Sequence, residues 1–153
     1  MESLTKKFYD LFRGFSNAHG QTEIIDSKKH GKQMSKSYIV REPLSLDLVQ
    51  QHLDGKKGIG SIPIDENNQC RFGALDIDEY NLDLKNLAKK INSLKLPLTL
   101  CRSKSGGAHL YIFLSEPISA TEIRDRLAEF ASALGYGNCE IFPKQEEVIV
   151  ERG

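Results

Sequence analysis

The sequence predicts an α+β fold whose second half runs β-α-β-β-α-β. Leu84, Leu87, Ala88, Ile91 and Leu94 return at helical spacing, as do Ile123, Leu127, Phe130, Ala131 and Leu134 further on. Around these two helices lie four short apolar runs of strand length, at residues 70–78, 98–101, 108–114 and 139–142. Breakers fall between the elements: Pro97 after the first helix, Gly106-Gly107 between the middle strands and Gly135 after the second helix. Ser119 and Glu122 form a capping box ahead of that second helix.

The first half is read as a small α/β lobe spanning residues 1–57. Leu4, Phe8, Leu11, Phe12 and Phe15 predict an amphipathic helix over residues 4–15, followed by a loop at 16–20. Short strands are expected at 22–25 and 37–41. They flank a basic, glycine-containing stretch, residues 27–36, expected to be a mobile loop. A helix over residues 46–53 ends at Gly55. A strand at 58–64 and a turn at 65–68 lead into the strand at 70–78, so these two strands are expected to pair as a hairpin. Residues 58–153 then form the second lobe, with a further strand at 148–150. Its element order is the split β-α-β pattern shared by ferredoxin-like and RNA-recognition-motif folds. No internal repeat or low-complexity segment interrupts the chain.

A length of 153 residues suits one domain, or one domain of two small lobes, with a core that needs no staples. Net charge is zero, so no global basic field draws in nucleic acid. No apolar run approaches the roughly 20 residues that span a bilayer, and MESLTKKFYDLF lacks the apolar region of a signal peptide. Cys70, Cys101 and Cys139 are odd in number and lack metal-ligand spacing. They are read as small core residues of a reduced, cytoplasmic protein without membrane contact.

The chemistry concentrates in two segments. In Ala74-Leu75-Asp76-Ile77-Asp78-Glu79, two aspartates two positions apart share one face of a strand, and Glu79 takes the other. Carboxylates that close repel unless a positive group stands between them, and a hard divalent cation with oxygen ligands is the usual answer. A solvated strand end is the plainer alternative. In the segment from Arg102 to His109, Gly106 and Gly107 allow close backbone approach to an anion. Ser103, Lys104, Ser105, Arg102 and His109 add donors, which together suit a polyphosphate. An ordinary hairpin turn with an edge histidine is the alternative there. Tyr111 and Phe113 share the face of His109. Glu140 makes sense as a third carboxylate, and Lys144 and Gln145 beyond it could reach a phosphate or a base. Lys28, Lys29, Lys32 and Lys36, with no acid from residue 27 to 41, form a candidate contact for a nucleic-acid backbone, or else a solvated face. His19, His30 and His52 are read as non-catalytic.

Taken in order, Asp76-x-Asp78, Ser105 through His109 and Cys139-Glu140 resemble the motifs of the archaeo-eukaryotic primase superfamily. RSKSGGAHLYIF and EIFPKQ look most like the primase domain of TOTE conflict systems and related phage and plasmid primase-polymerases. The resemblance spans roughly residues 35 to 145. The Ser-to-His spacing is longer than a strict S-x-H, so Ser103 and Ser105 are both candidates for the phosphate contact. The resemblance implies a primase-like fold and a DNA-directed nucleotidyltransferase. Asp76, Asp78 and Glu140 would hold two Mg²⁺ or Mn²⁺ ions. Arg102 to Gly107, His109 and Lys144 would bind the nucleotide. Implied partners are nucleoside triphosphates, single-stranded or primed DNA, and helicase or nuclease modules of a longer protein. Two other readings stand beside it: a single-strand-binding module stacking bases on Phe72, Tyr111 and Phe113, and a D-x-D nucleotide-sugar glycosyltransferase.

Overall fold

The computed structural model describes residues 1–29 and 32–148, with side chains outside 25–34. Helix α1 (Leu4–Leu11) is capped by Ser3, whose hydroxyl accepts from the Lys6 N–H at 3.2 Å. It stops short of the 4–15 span that the apolar spacing predicts. The chain turns away because Phe15 N–H donates to the Ile62 carbonyl at 2.8 Å and Gly14 lies flat against the same peptide.

Strands β1 (His19–Lys29) and β2 (Lys32–Val40) pair antiparallel, from His19 opposite Val40 out to Lys29 opposite Lys32. The loop expected at residues 27–36 is therefore corrected to paired strand over residues 27–29 and 32–36, with residues 30 and 31 outside the described ones. The ladder pairs backbone groups, so a polar, basic sequence does not prevent it. Polar cross-strand contacts support its described part: Thr22 with Ser37 at 3.0 Å, and the Tyr38 hydroxyl donating to Glu23 at 2.9 Å. The side chains of Lys28, Lys29 and Lys32 lie outside the described residues.

Helix α2 (Leu46–Leu53), capped by Ser45, precedes β3 (Gly58–Gly60). The hairpin expected between residues 58–64 and 70–78 does not form. β3 is short and pairs with β1, completing a sheet in the order β2-β1-β3. Pro63 has no N–H to donate and the Ile62 carbonyl is taken by Phe15, so only an isolated bridge, Ile64 to Cys70, spans the turn.

The second sheet holds β4 (Gln69–Ile77), β5 (Thr99–Arg102), β6 (Ala108–Ser119) and β7 (Glu140–Phe142) in the antiparallel order β5-β6-β4-β7. Helix α3 (Leu84–Ser93) links β4 to β5, and α4 (Ala120–Leu134) links β6 to β7. Ser119 caps α4 by accepting from Glu122 N–H, and Gly135 ends it in the left-handed conformation at φ 87°. One sheet face, with Leu75, Ile77, Leu110 and Ile112, packs on Leu87 and Ile91 of α3 and on Ile123, Leu127 and Leu134 of α4. The expected strand at 148–150 falls outside the described residues from 149 onward. Among the described residues no helix is long and apolar enough to cross a membrane.

Candidate active site

The opposite face of the second sheet brings together most of the candidate site residues. Asp76, near the end of central strand β4, is directly opposite His109 of β6 on one side and Glu140 of β7 on the other. His109 is in turn opposite Cys101 of β5. Cross-strand partners share a face, so one rung aligns Cys101, His109, Asp76 and Glu140. Asp78 follows Asp76 on that face, just past the strand end. Arg102 is opposite Ala108, whose other neighbour is Ile77, so register puts Arg102 on the helix-covered face, away from the rung. Cys101 is exposed, against the expectation of a core thiol, because β5 is an edge strand and this position faces the site.

His109 Nε2 stands 3.4 Å from Asp76 Oδ1, with the Tyr111 hydroxyl 3.5 Å from His109 Nδ1. Lys144 Nζ lies 3.4 Å from Glu140 Oε2 and 5.2 Å from the centre of the Phe142 ring. The turn between β5 and β6 is closed by two backbone bonds, Ser103 N–H to the Gly107 carbonyl at 3.0 Å and Gly106 N–H to the Ser103 carbonyl at 3.2 Å. Gly106 adopts φ 91°. Gly107 packs so close to β4 that a Cβ there would lie 2.0 Å from the Ile77 carbonyl oxygen. The turn therefore seats against the end of the acidic strand. Ser103 is buried and its hydroxyl is 3.3 Å from that of Ser105, which reaches Asp78 Oδ1 at 3.5 Å. Lys104 is exposed at the turn's tip.

Burial raises the Tyr111 phenol above its ordinary pKa, and negative charge at Cys101 and Asp76 pushes the same way. The Cys139 thiol is likewise raised, chiefly by burial, with Asp76 adding to the shift. Both groups stay neutral at physiological pH.

Asp76 borders two cavities. A groove of about 330 Å³ runs between the first lobe and the sheet, lined by Phe8, Phe12, His52, Tyr111 and Phe142 and ending at Asp76 and His109. A cleft of about 370 Å³ lies beyond, bounded by Asp78, Glu79, Tyr136, Asn138 and Glu140. Phe12 forms the groove's roof. Its ring meets Phe72, Tyr111 and Phe113 edge-on, each at a centroid distance of 5.3 Å. Phe12, the C-cap of α1, thus packs against all three rings that a base-stacking module would present. Sequence reasoning missed this groove, and the only signal for it was that Phe12 belongs to the apolar stripe of α1.

The donor set of Asp76, Asp78 and Glu140 is all oxygen, which suits a hard divalent cation. Among the described residues no three His, Cys, Asp or Glu side chains converge closely enough to form a ready-made metal cluster. Glu140 leans on Lys144 and Asp76 on His109.

An acidic strand end beside a glycine turn, on an antiparallel sheet backed by two helices, marks an α+β domain of the primase class. Residues 8–149 match the family described as the Archaeo-Eukaryotic Primase domain of TOTE conflict systems, and the chain belongs to that family. No curated protein matches it. The family is one of primases and nucleotidyltransferases.

Proposed function

We propose that this domain is a metal-dependent primase-polymerase that transfers nucleotides to a 3′-hydroxyl on a DNA template. The carrying observation is the rung that aligns His109, Asp76 and Glu140 across three strands. Residues 58–153 are read as an RNA-recognition-motif-like catalytic lobe, which the order β5-β6-β4-β7 supports. Residues 1–57 are read as the accessory α/β lobe.

In the reaction the 3′-oxygen bonds to the α-phosphorus as the bond to pyrophosphate breaks, releasing pyrophosphate and a proton. Asp76, Asp78 and Glu140 would hold Mg²⁺ or Mn²⁺, which when bound neutralises the triphosphate and acidifies the attacking hydroxyl. The turn's N–H groups, the hydroxyls of Ser103 and Ser105, Lys104 and His109 orient the β- and γ-phosphates. Lys144 is drawn from Glu140 toward the anion. Positioning and fixed charge carry the catalysis, since phosphoryl transfer leaves little covalent work to the protein. Arg102, at the edge of the turn, adds to the local positive field. Lys28, Lys29, Lys32 and Lys36 on the β1–β2 ribbon supply backbone contacts to single-stranded or primed DNA. Helicase or nuclease modules would act beside it, in a reducing cytoplasm that keeps its three cysteines free.

The test is primer extension by Asp76→Asn and Asp78→Asn proteins with Mg²⁺ and with Mn²⁺. Each should lose at least about 100-fold of the wild-type rate while melting as the wild type does. Undiminished extension by the double variant overturns the proposal.

A further inference from the structure

We propose that the groove under α1 takes the nucleoside half of the bound nucleotide, and that the Tyr111 hydroxyl hydrogen-bonds the ribose 2′-hydroxyl. This rests on the nucleotidyltransferase reading and deepens it by naming the residue that sets the sugar preference.

The groove has the two ends that a nucleotide needs. Toward the first lobe it is walled by Phe8, Phe12 and His52 and floored by Tyr111 and Phe142, an apolar, ring-lined space suited to a planar base. Its other end is Asp76 and His109, next to the turn proposed for the phosphates. Its volume of about 330 Å³ falls in the ~300–1,000 Å³ range of small-molecule pockets.

Tyr111 stands at the join between these ends. It is two residues beyond His109 on the same face, roughly 6.5–7 Å along the strand, a span that carries the chain from a β-phosphate held at His109 across the α-phosphate to the sugar. Its ring is fixed, stacked on Phe113 at 5.7 Å and met edge-on by Phe12 at 5.3 Å, so its hydroxyl position is determined before any ligand arrives. That hydroxyl's one protein contact among the described residues is with His109 Nδ1 at 3.5 Å, the outer limit of a hydrogen bond, which leaves donor and acceptor capacity unspent. A fixed hydroxyl with spare capacity favours the nucleotide that pairs with it and discriminates against the analogue lacking that partner. Ribonucleotides are therefore the better ligands.

Calorimetric titration of the full chain in Mn²⁺ tests this, with ATP, dATP and inorganic tripolyphosphate as probes. ATP should bind more tightly than tripolyphosphate and about three- to tenfold more tightly than dATP, the size of one neutral hydrogen bond. Tyr111→Phe keeps the ring packing and should bring the ATP:dATP ratio to about one, chiefly by weakening ATP. If ATP and tripolyphosphate bind equally, the groove does not take the nucleoside and the inference falls while the proposed function stands. If dATP is preferred by the wild type, or the ratio survives Tyr111→Phe, the sugar contact is wrong. If none of the three binds, the proposed function fails and takes the inference with it.

Discussion

Asp76 of β4 and Glu140 of β7 stand directly opposite each other, two carboxylates on one rung of the same sheet. Like charges in that relation destabilise a sheet. Each here has a partner of its own, the His109 imidazole 3.4 Å from Asp76 and the Lys144 ammonium 3.4 Å from Glu140. Both members of the Glu140–Lys144 pair are more than half exposed, so that pair stabilises the fold by only about 0–1 kcal/mol. The arrangement makes poor sense as a stabilising device, and the cation proposed above would relieve its repulsion.

The balance predicts a separation of activity from stability at Glu140. Glu140→Gln removes the repulsion with Asp76 and loses only an exposed ion pair. Its thermal midpoint should stay within about 2 °C of wild type, while extension falls by about 100-fold or more. Differential scanning calorimetry beside a primer-extension assay reads both. A midpoint several degrees lower would make Glu140 a structural residue instead.

The two glycines of the β5–β6 turn should respond differently to the same substitution. A methyl at position 107 would meet the Ile77 carbonyl oxygen at 2.0 Å and Glu79 N at 3.3 Å, both backbone atoms that cannot swing aside. Gly107→Ala should therefore cost about 1–3 kcal/mol, lowering the midpoint by about 2–10 °C, and weaken tripolyphosphate binding by displacing the turn. At Gly106 the space is nearly open, the nearest atom being Asn81 N at 3.8 Å. Gly106→Ala meets only the strain of its positive φ, about 1 kcal/mol. Equal effects at the two positions would mean that the turn is not seated on β4.

The alignment of Asp76, His109 and Glu140 was legible in the sequence because it depends on local rules. Alternation puts Asp76 and Asp78 on one face, and two helices of clear periodicity force the strands between them into neighbouring places. What was not legible depends on distant contacts. The end of α1 is set by Phe15 bonding to Ile62, and the fate of residues 58–64 by Gly58–Gly60 pairing with β1 rather than with β4. The basic segment after Ser27 has the polar composition of a loop yet pairs as strand, because a ladder satisfies backbone groups whatever the side chains are. The groove was hidden for a related reason. Phe12 reads as one more apolar position of a helix, and only its placement over Phe72, Tyr111 and Phe113 makes it a roof.

That placement makes Phe12 an apolar tie between α1 and the second sheet. Phe12→Ala removes three edge-on ring contacts at once. Because the residue is half-buried, the loss should be about 2–3 kcal/mol, below the range for a fully buried ring. Phe8 touches Phe12 and His52 but, among the described contacts, no ring of the sheet, so Phe8→Ala should cost less. Urea denaturation of the two variants gives the order directly. A larger loss at Phe8 would mean that the lobes are joined elsewhere.

Alkaline pH should loosen the fold through Cys70. Its side chain is buried under the turn at residues 65–68, and burial first, then the Asp65 charge, push its thiol from 9.0 to about 12. Folding thus raises the pKa, so the folded state holds a proton that the unfolded chain releases. Below pH 9 both states are protonated and the full stability is present. As pH climbs from about 9 toward 12 the unfolded thiol ionises while the folded one does not, and stability drains away by linkage. The raised phenols of Tyr111 and Tyr136 act in the same direction above pH 10. The urea midpoint should accordingly be flat from pH 7 to about 8.5 and fall steadily beyond. Cys70→Ala should start lower, by about 1 kcal/mol for the lost sulfur, and fall less steeply between pH 9 and 10.5. A variant whose slope matches the wild type would show that the alkaline loss arises elsewhere than at this thiol.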